Sequence, residues 1–265
     1  MTGAANPLDT VLLAVLPYAA MLLFFLGTIY RYRAQSFTYS SLSSQFLENR
    51  QHFWGLVPFH YGIIAVLVGH LVAFLVPRSI LLWNAKPLRL YILEVSALAF
   101  GLLALVGLLG IVARRLTDSK VKVVTSRADW VLYLLLLTQL GSGVYVALTH
   151  PWGSSWFASA AAPYLWSLVR LAPDVSYVAA LPLAVKVHVI NAWLIIGFFP
   201  FTRMVHVLVA PNPYLWRRKQ VVRWYRRPGR LSDHPPLPRS LSHPQGGRGT
   251  PPRNPLVPGL AERGR

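Results

Sequence analysis

Four histidines lie within long apolar stretches of this chain. His60 and His70 fall in VPFHYGIIAVLVGHLVAFLVP (57–77), and His188 and His206 in LAVKVHVINAWLIIGFFPFTRMVHVLV (183–209). An ionisable side chain in such surroundings is costly and is retained where it has work to do. A neutral imidazole offers one lone pair to a metal, and the iron of a planar macrocycle takes such a ligand on each side. With both sides filled there is no open position, so the centre passes electrons and does not react with oxygen or substrate. The same residue type also serves as a hydrogen-bonding link between helices or as a step in a proton path. A zinc site is disfavoured, because neither stretch contains a carboxylate or thiolate. The remaining histidines, His52, His150, His234 and His243, fall in connections or the tail and are expected to be solvated.

Elements of spanning length must hold these residues. Five stretches are apolar over the roughly 20 residues that cross a bilayer as a helix: 9–29, 56–77, 91–113, 130–149 and 183–209. In hydrocarbon the backbone must satisfy itself, so each is expected to be helical. Composition agrees: 54% of residues are hydrophobic and 13% charged, with a mean hydropathy of +0.45. That is too little charge to cover a soluble domain of 265 residues. The predicted fold class is therefore all-α integral membrane, a five-helix transmembrane bundle. No basic residues precede the first stretch and no small-residue cleavage site follows it, so it reads as a retained helix. Cysteine is absent, which excludes disulfides, thiolate-held iron–sulfur clusters, c-type haem attachment and a Cys nucleophile. Any redox cofactor must be held without a covalent bond.

The net charge of +18 is unevenly spread, with 12 of the 26 Lys and Arg residues after position 210. Connections one and three and the tail together carry 20 of them, against 4 in connections two and four. The positive-inside rule then places the N-terminus outside and the C-terminus in the cytoplasm, across a cytoplasmic membrane. Three regions are expected: a transmembrane domain over 1–213, a basic interfacial segment over 214–227, and a Pro- and Gly-rich basic tail over 228–265. The basic tail suits anionic lipid or an acidic partner. No groove-reading motif accompanies it, so nucleic acid is not expected.

In this topology the second and fifth stretches are antiparallel. His60 and His206 come to the inner side, and His70 and His188 to the outer. On ideal helices His188 and His206 share one face with about 27 Å between them, whereas His60 and His70 are about 15 Å apart. Tilt, the width of a macrocycle, or kinks at Pro58 or Pro200 must absorb the mismatch. Arg203 sits one turn before His206, where it can meet a haem propionate or reach the interface. Gly55, Gly62 and Gly69 form a smooth stripe that favours close helix packing, and Gly69 adjoins His70.

FHYGIIAVLVGH, KVH and FFPFTRMVH resemble the γ subunit of respiratory nitrate reductase, the membrane cytochrome b of that complex. RYRAQSFTYSSLSSQFLE, ARRLTDSKVKVVTSRAD and YLWRRKQVV resemble the family's inner loops and C-terminus, so the likeness covers about 8–225. The resemblance implies two b haems, with His60 and His206 on the inner (proximal) one and His70 and His188 on the outer (distal) one. It implies that quinol, menaquinol or ubiquinol, is oxidised near the outer haem. Electrons then pass to an iron–sulfur β subunit and a molybdenum-containing α subunit that reduces nitrate on the cytoplasmic side. The family uses a lysine in the second outer connection at the quinol site. In PRSILLWNAKPLRLY the counterparts are Lys86 and Arg89, with Gly69 able to admit the ring and Glu94 to accept a proton. Other readings are a diheme subunit of another quinone-linked complex, of heterodisulfide-reductase or sulfite-pathway type, and a haem-free carrier or channel.

Overall fold

The structure, a computed structural model, describes residues 6–34 and 50–208. The expected basic segment 214–227 and tail 228–265 lie outside the described residues. Those described are helical with no strand, and five helices are long and apolar enough to cross a membrane.

The first, α1 (Pro7–Ala34), starts where Asn6 accepts from the Leu8 amide ahead of Pro7. Pro17 within it has no N–H to offer the carbonyl of Leu13, four residues back. Tyr164 Oη donates to that carbonyl instead, at 2.6 Å. Burial pushes the Tyr164 phenol up to about 12, so it remains a donor. Next come α2 (Arg50–Leu75), α3 (Pro77–Asn84) and α4 (Pro87–Thr117). Both α3 and α4 open with proline at the first position, where a missing N–H costs nothing. The fourth spanning helix, α5 (Arg127–Thr149), is fixed at its start by a reciprocal box. Ser126 Oγ accepts from the Asp129 amide, and Asp129 accepts from the Ser126 amide. The connection 150–182 folds into short turns around α6 (Ala162–Val169).

The last spanning stretch departs from the single helix expected over 183–209. The α-helix α7 covers Leu183–Phe198 and gives way to a 3₁₀ turn, Phe199–Phe201. Thr202 is extended at ψ 173° and starts a second 3₁₀ turn, Arg203–Val207, which carries His206. Pro200 removes a backbone donor, and Thr202 Oγ1 accepts from the Met204 amide as a fresh N-cap. The freed carbonyls do not go unpaired. Arg31 Nη1, from the end of α1, donates to Pro200 O at 2.6 Å and Thr202 O at 3.0 Å.

Packing runs α2 on α4, α4 on α5, α5 on α7 and α7 on α1. The α2–α4 contact is closest, because glycines let the backbones meet. A Cβ on Gly62 would lie 2.5 Å from Ala104 N, and one on Gly107 would lie 2.3 Å from Phe59 N. So Gly55 and Gly62 of the stripe do pack against a helix, while Gly69 faces open space. One core cluster joins α4 and α5 through Ala104, Leu108, Leu132, Tyr133, Leu136 and Leu140. Another ties α1 to α6 through Leu13, Ala14, Tyr164 and Leu168. The outward faces are large and apolar, such as Leu22, Leu67, Leu109 and Leu134. A bundle in lipid requires that arrangement, since hydrocarbon is the solvent there.

Candidate functional site

The two histidine-bearing segments reach each other without α2 and α7 being a principal packing pair. On α2, His60 lies about 160° around the helix from Gly62, at about 100° a residue. The glycine face meets α4, so His60 points away from that contact. It looks towards His206, and the two ring centres are 6.3 Å apart with planes at 60°. His60 Nδ1 bonds to Leu56 O at 2.8 Å, and His206 Nδ1 to Arg203 O at 2.7 Å. A carbonyl can only accept, so each Nδ1 carries the proton and each Nε2 keeps its lone pair.

Those values fit one metal between the rings. Two imidazole nitrogens bound at about 2 Å on opposite sides place the ring centres roughly 6 Å apart, once half of each ring is added. No group of three or more His, Cys, Asp or Glu suited to a metal ion occurs among the described residues. A two-ligand site, whose remaining positions come from a macrocycle, matches that donor set.

Arg203 is held beside this pair. Its Nε donates to Asp129 Oδ1 at 2.7 Å and its Nη2 to Asp129 Oδ2 at 2.5 Å. Asp129 thus closes the α5 capping box and anchors the turn carrying His206. Replacing Asp129 by alanine is expected to cost about 3 kcal/mol, because it removes the buried carboxylate from a charge pair and opens the α5 capping box. Thermal unfolding of the detergent-solubilised protein measures this. Arg114 and Arg115 are buried at the same end, with Arg115 over the Tyr133 ring and donating to Thr125 Oγ1 at 2.8 Å.

At the other end, His70 Nδ1 bonds to Val66 O at 2.8 Å, leaving Nε2 open. The His70 ring is exposed and meets the edge of Phe157 at 5.3 Å. His188 is half-buried on α7, within electrostatic reach of His70. It touches Ser142 and Gln139 of α5, and Gln139 is in turn held by Asn191. Sequence reasoning missed these three. The signal was there: Gln139, Ser142 and Asn191 are polar residues in otherwise apolar spans.

The remaining predicted residues sit at this second end. Lys86 is exposed just before α4, and its amine has no partner among the described residues. Arg89 lies over the Trp83 ring at 5.1 Å, and its carbonyl accepts from Trp83 Nε1. Glu94 is occupied: it accepts from the Gly153 and Ser154 amides at 3.2 and 2.8 Å and from Ser154 Oγ at 2.6 Å. It caps the turn Gly153–Trp156. Gly69 opens onto free space beside His70. The end that carries His60 and His206 is the strongly basic one, with Arg31, Arg33, Arg114, Arg115, Lys120, Lys122 and Arg127.

Comparison with known proteins places these features in a family. The family model described as nitrate reductase gamma subunit matches residues 9–225. The nitrate reductase gamma chain of Bacillus subtilis is 30% identical over 216 residues, 80% of this chain and 97% of that one. The respiratory nitrate reductase 2 gamma chain of Escherichia coli is 32% identical, over 79% of this chain and 94% of its own. The nitrate reductase-like protein NarX of Mycobacterium tuberculosis is 33% identical over 77% of this chain, but over only 32% of its own length. With five apolar helices, two facing histidines and a match over most of its length, this chain belongs to the nitrate reductase gamma subunit family.

Proposed function

We propose that this chain is the membrane cytochrome b subunit of a nitrate reductase. It takes electrons from quinol at the His70 end and delivers them at the basic end. The observation that carries the reading is the His60–His206 pair, with ring centres 6.3 Å apart, planes at 60° and both Nδ1 atoms bonded to carbonyls. His60 and His206 hold one b haem, and His70 and His188 the other. When bound, each would supply one-electron transfer.

The chain's own residues do the rest. The Nδ1 bonds fix each ring's tautomer and raise the basicity of Nε2. Arg203, tied to Asp129, keeps a positive charge within one turn of His206, where a propionate is best compensated. At the other end, Gly69 leaves room beside His70, and the unengaged Lys86 ammonium donates to a quinol oxygen. Arg89 and Glu94 are weaker candidates there, since Trp83 and the 153–156 turn already engage them.

The charge asymmetry of the connections supports a cytoplasmic position for the basic end. There an iron–sulfur β subunit and a molybdenum-containing α subunit receive the electrons and reduce nitrate. Oxidation of one quinol releases two protons outside and sends two electrons inward. Each charge moved against the membrane potential costs about 2.3 kcal/mol per 100 mV, which the drop from quinol to the final acceptor must cover.

A pyridine-haemochrome assay on the purified complex is expected to give two b haems per copy of this chain. Quinol added to washed membranes is expected to raise a b-type absorbance that nitrate then bleaches. A haem-free chain, or haems that quinol leaves oxidised, overturns the proposal.

A further inference from the structure

Three of the four histidines are held by backbone carbonyls. His188 is held by side chains of a neighbouring helix that contributes no ligand. Its Nδ1 lies 3.0 Å from Ser142 Oγ, and Ser142 Oγ donates to Gln139 O at 3.1 Å. A hydroxyl whose hydrogen is already given to a carbonyl can only accept, so His188 Nδ1 carries the proton and donates to Ser142. That leaves Nε2 with its lone pair, as at the other three sites.

Gln139 contributes differently. Its Nε2 is 3.3 Å from His188 Nδ1 and 3.1 Å from His188 Nε2. A donor aimed in the ring plane at one nitrogen would be far from the other. The near-equal distances therefore set the amide against the ring's face, as an N–H to π contact, and leave the Nε2 lone pair free. Which end of the amide faces the ring follows from Asn191. That buried side chain donates to Gln139 Oε1 at 2.8 Å and to Leu135 O at 2.9 Å. With its oxygen used, Gln139 turns its NH₂ to His188. Gly143 completes the seat: a Cβ there would come within 2.9 Å of His188 Cε1.

We propose that Gln139 and Ser142 of α5 are positioning residues for the haem bound through His188, and that they pull its reduction potential in opposite directions. The inference rests on the haem reading above. Ser142 accepts the Nδ1 hydrogen, which makes the imidazole a stronger donor and favours oxidised iron. Gln139 brings the positive end of an amide dipole to the ring, which favours the reduced state. Both effects act in a medium of low dielectric, where they are strong. The His60–His206 pair is held through backbone carbonyls instead.

The test is an optically monitored redox titration of the purified complex, with haem content measured alongside. Gln139→Leu is expected to lower the midpoint of one haem, and Ser142→Ala to raise that of the same haem, while the other haem's midpoint stays put. Ser142→Thr, which keeps the hydroxyl, is expected to restore the wild-type value. Midpoints equal to wild type, a shift shared by both haems, or a shift of the same sign in both variants overturns the proposal. Loss of haem in either variant that Ser142→Thr shows as well overturns it too, because packing alone then explains the site. A wild-type complex with no haem refutes the functional reading instead, and is distinguished by the haem content.

Discussion

His70→Leu is expected to leave one haem in place of two and to abolish reduction of the chain by quinol. The side chain is exposed, meets only the Phe157 ring among the described residues' aromatic groups, and bonds to Val66 O of its own helix. Leucine fits such a position on a lipid-facing helix, so insertion and helix content are expected to persist. On the proposed reading, what is lost is one of the two residues that would hold the outer haem. His188 alone, seated on α5, cannot fill both sides of a macrocycle. The His60–His206 pair is untouched at the opposite end of the bundle, so its haem remains and is still reduced by dithionite. A haemochrome assay and quinol-reduced difference spectra of washed membranes check both halves. Retention of two haems in this variant removes His70 from the site. His206→Leu is expected to give the mirror result: quinol reduces the remaining haem, but nitrate no longer reoxidises it.

Gly107→Ala is expected to be the most damaging small change in the bundle. The added methyl would lie 2.3 Å from Phe59 N and 2.8 Å from Gly55 O, and these are backbone atoms that cannot rotate away. The helices must separate, and α2 carries His60 and His70 with it. Overpacking of this kind costs about 1–3 kcal/mol even where side chains can give. Here it should reach the upper end of that range and also lower haem content. Gly62→Ala meets the same obstacle at Ala104 N and Phe100 O. Gly69→Ala, facing open space, is the control, expected to leave stability and haem content unchanged. Thermal unfolding with haem loss as the signal separates the three. If Gly107→Ala matches Gly69→Ala, the close α2–α4 contact is wrong.

What the residues alone determined was the arithmetic of the membrane. Apolar stretches of spanning length and few acidic residues lead to an all-helical bundle without reference to any contact. The four histidines stand out because their neighbours are apolar, and the stretches that carry them are long enough to show it. The glycine stripe was legible as a packing face, since spacing by seven returns to one side of a helix. Only the tertiary structure decided what the stripe packs against, and that Gly69 does not take part. It also broke the last span. Pro200 and Thr202 were visible, but a proline in a membrane helix can kink or end it. Arg31, 169 residues away in sequence, accepts the task of satisfying the carbonyls released there. His206 rides on the turn beyond that break, where its ring centre lies 6.3 Å from that of His60. The seat of His188 on Gln139 and Ser142 was equally out of reach. A polar residue in an apolar helix announces that it has a partner, and only the packing of α5 on α7 says which one.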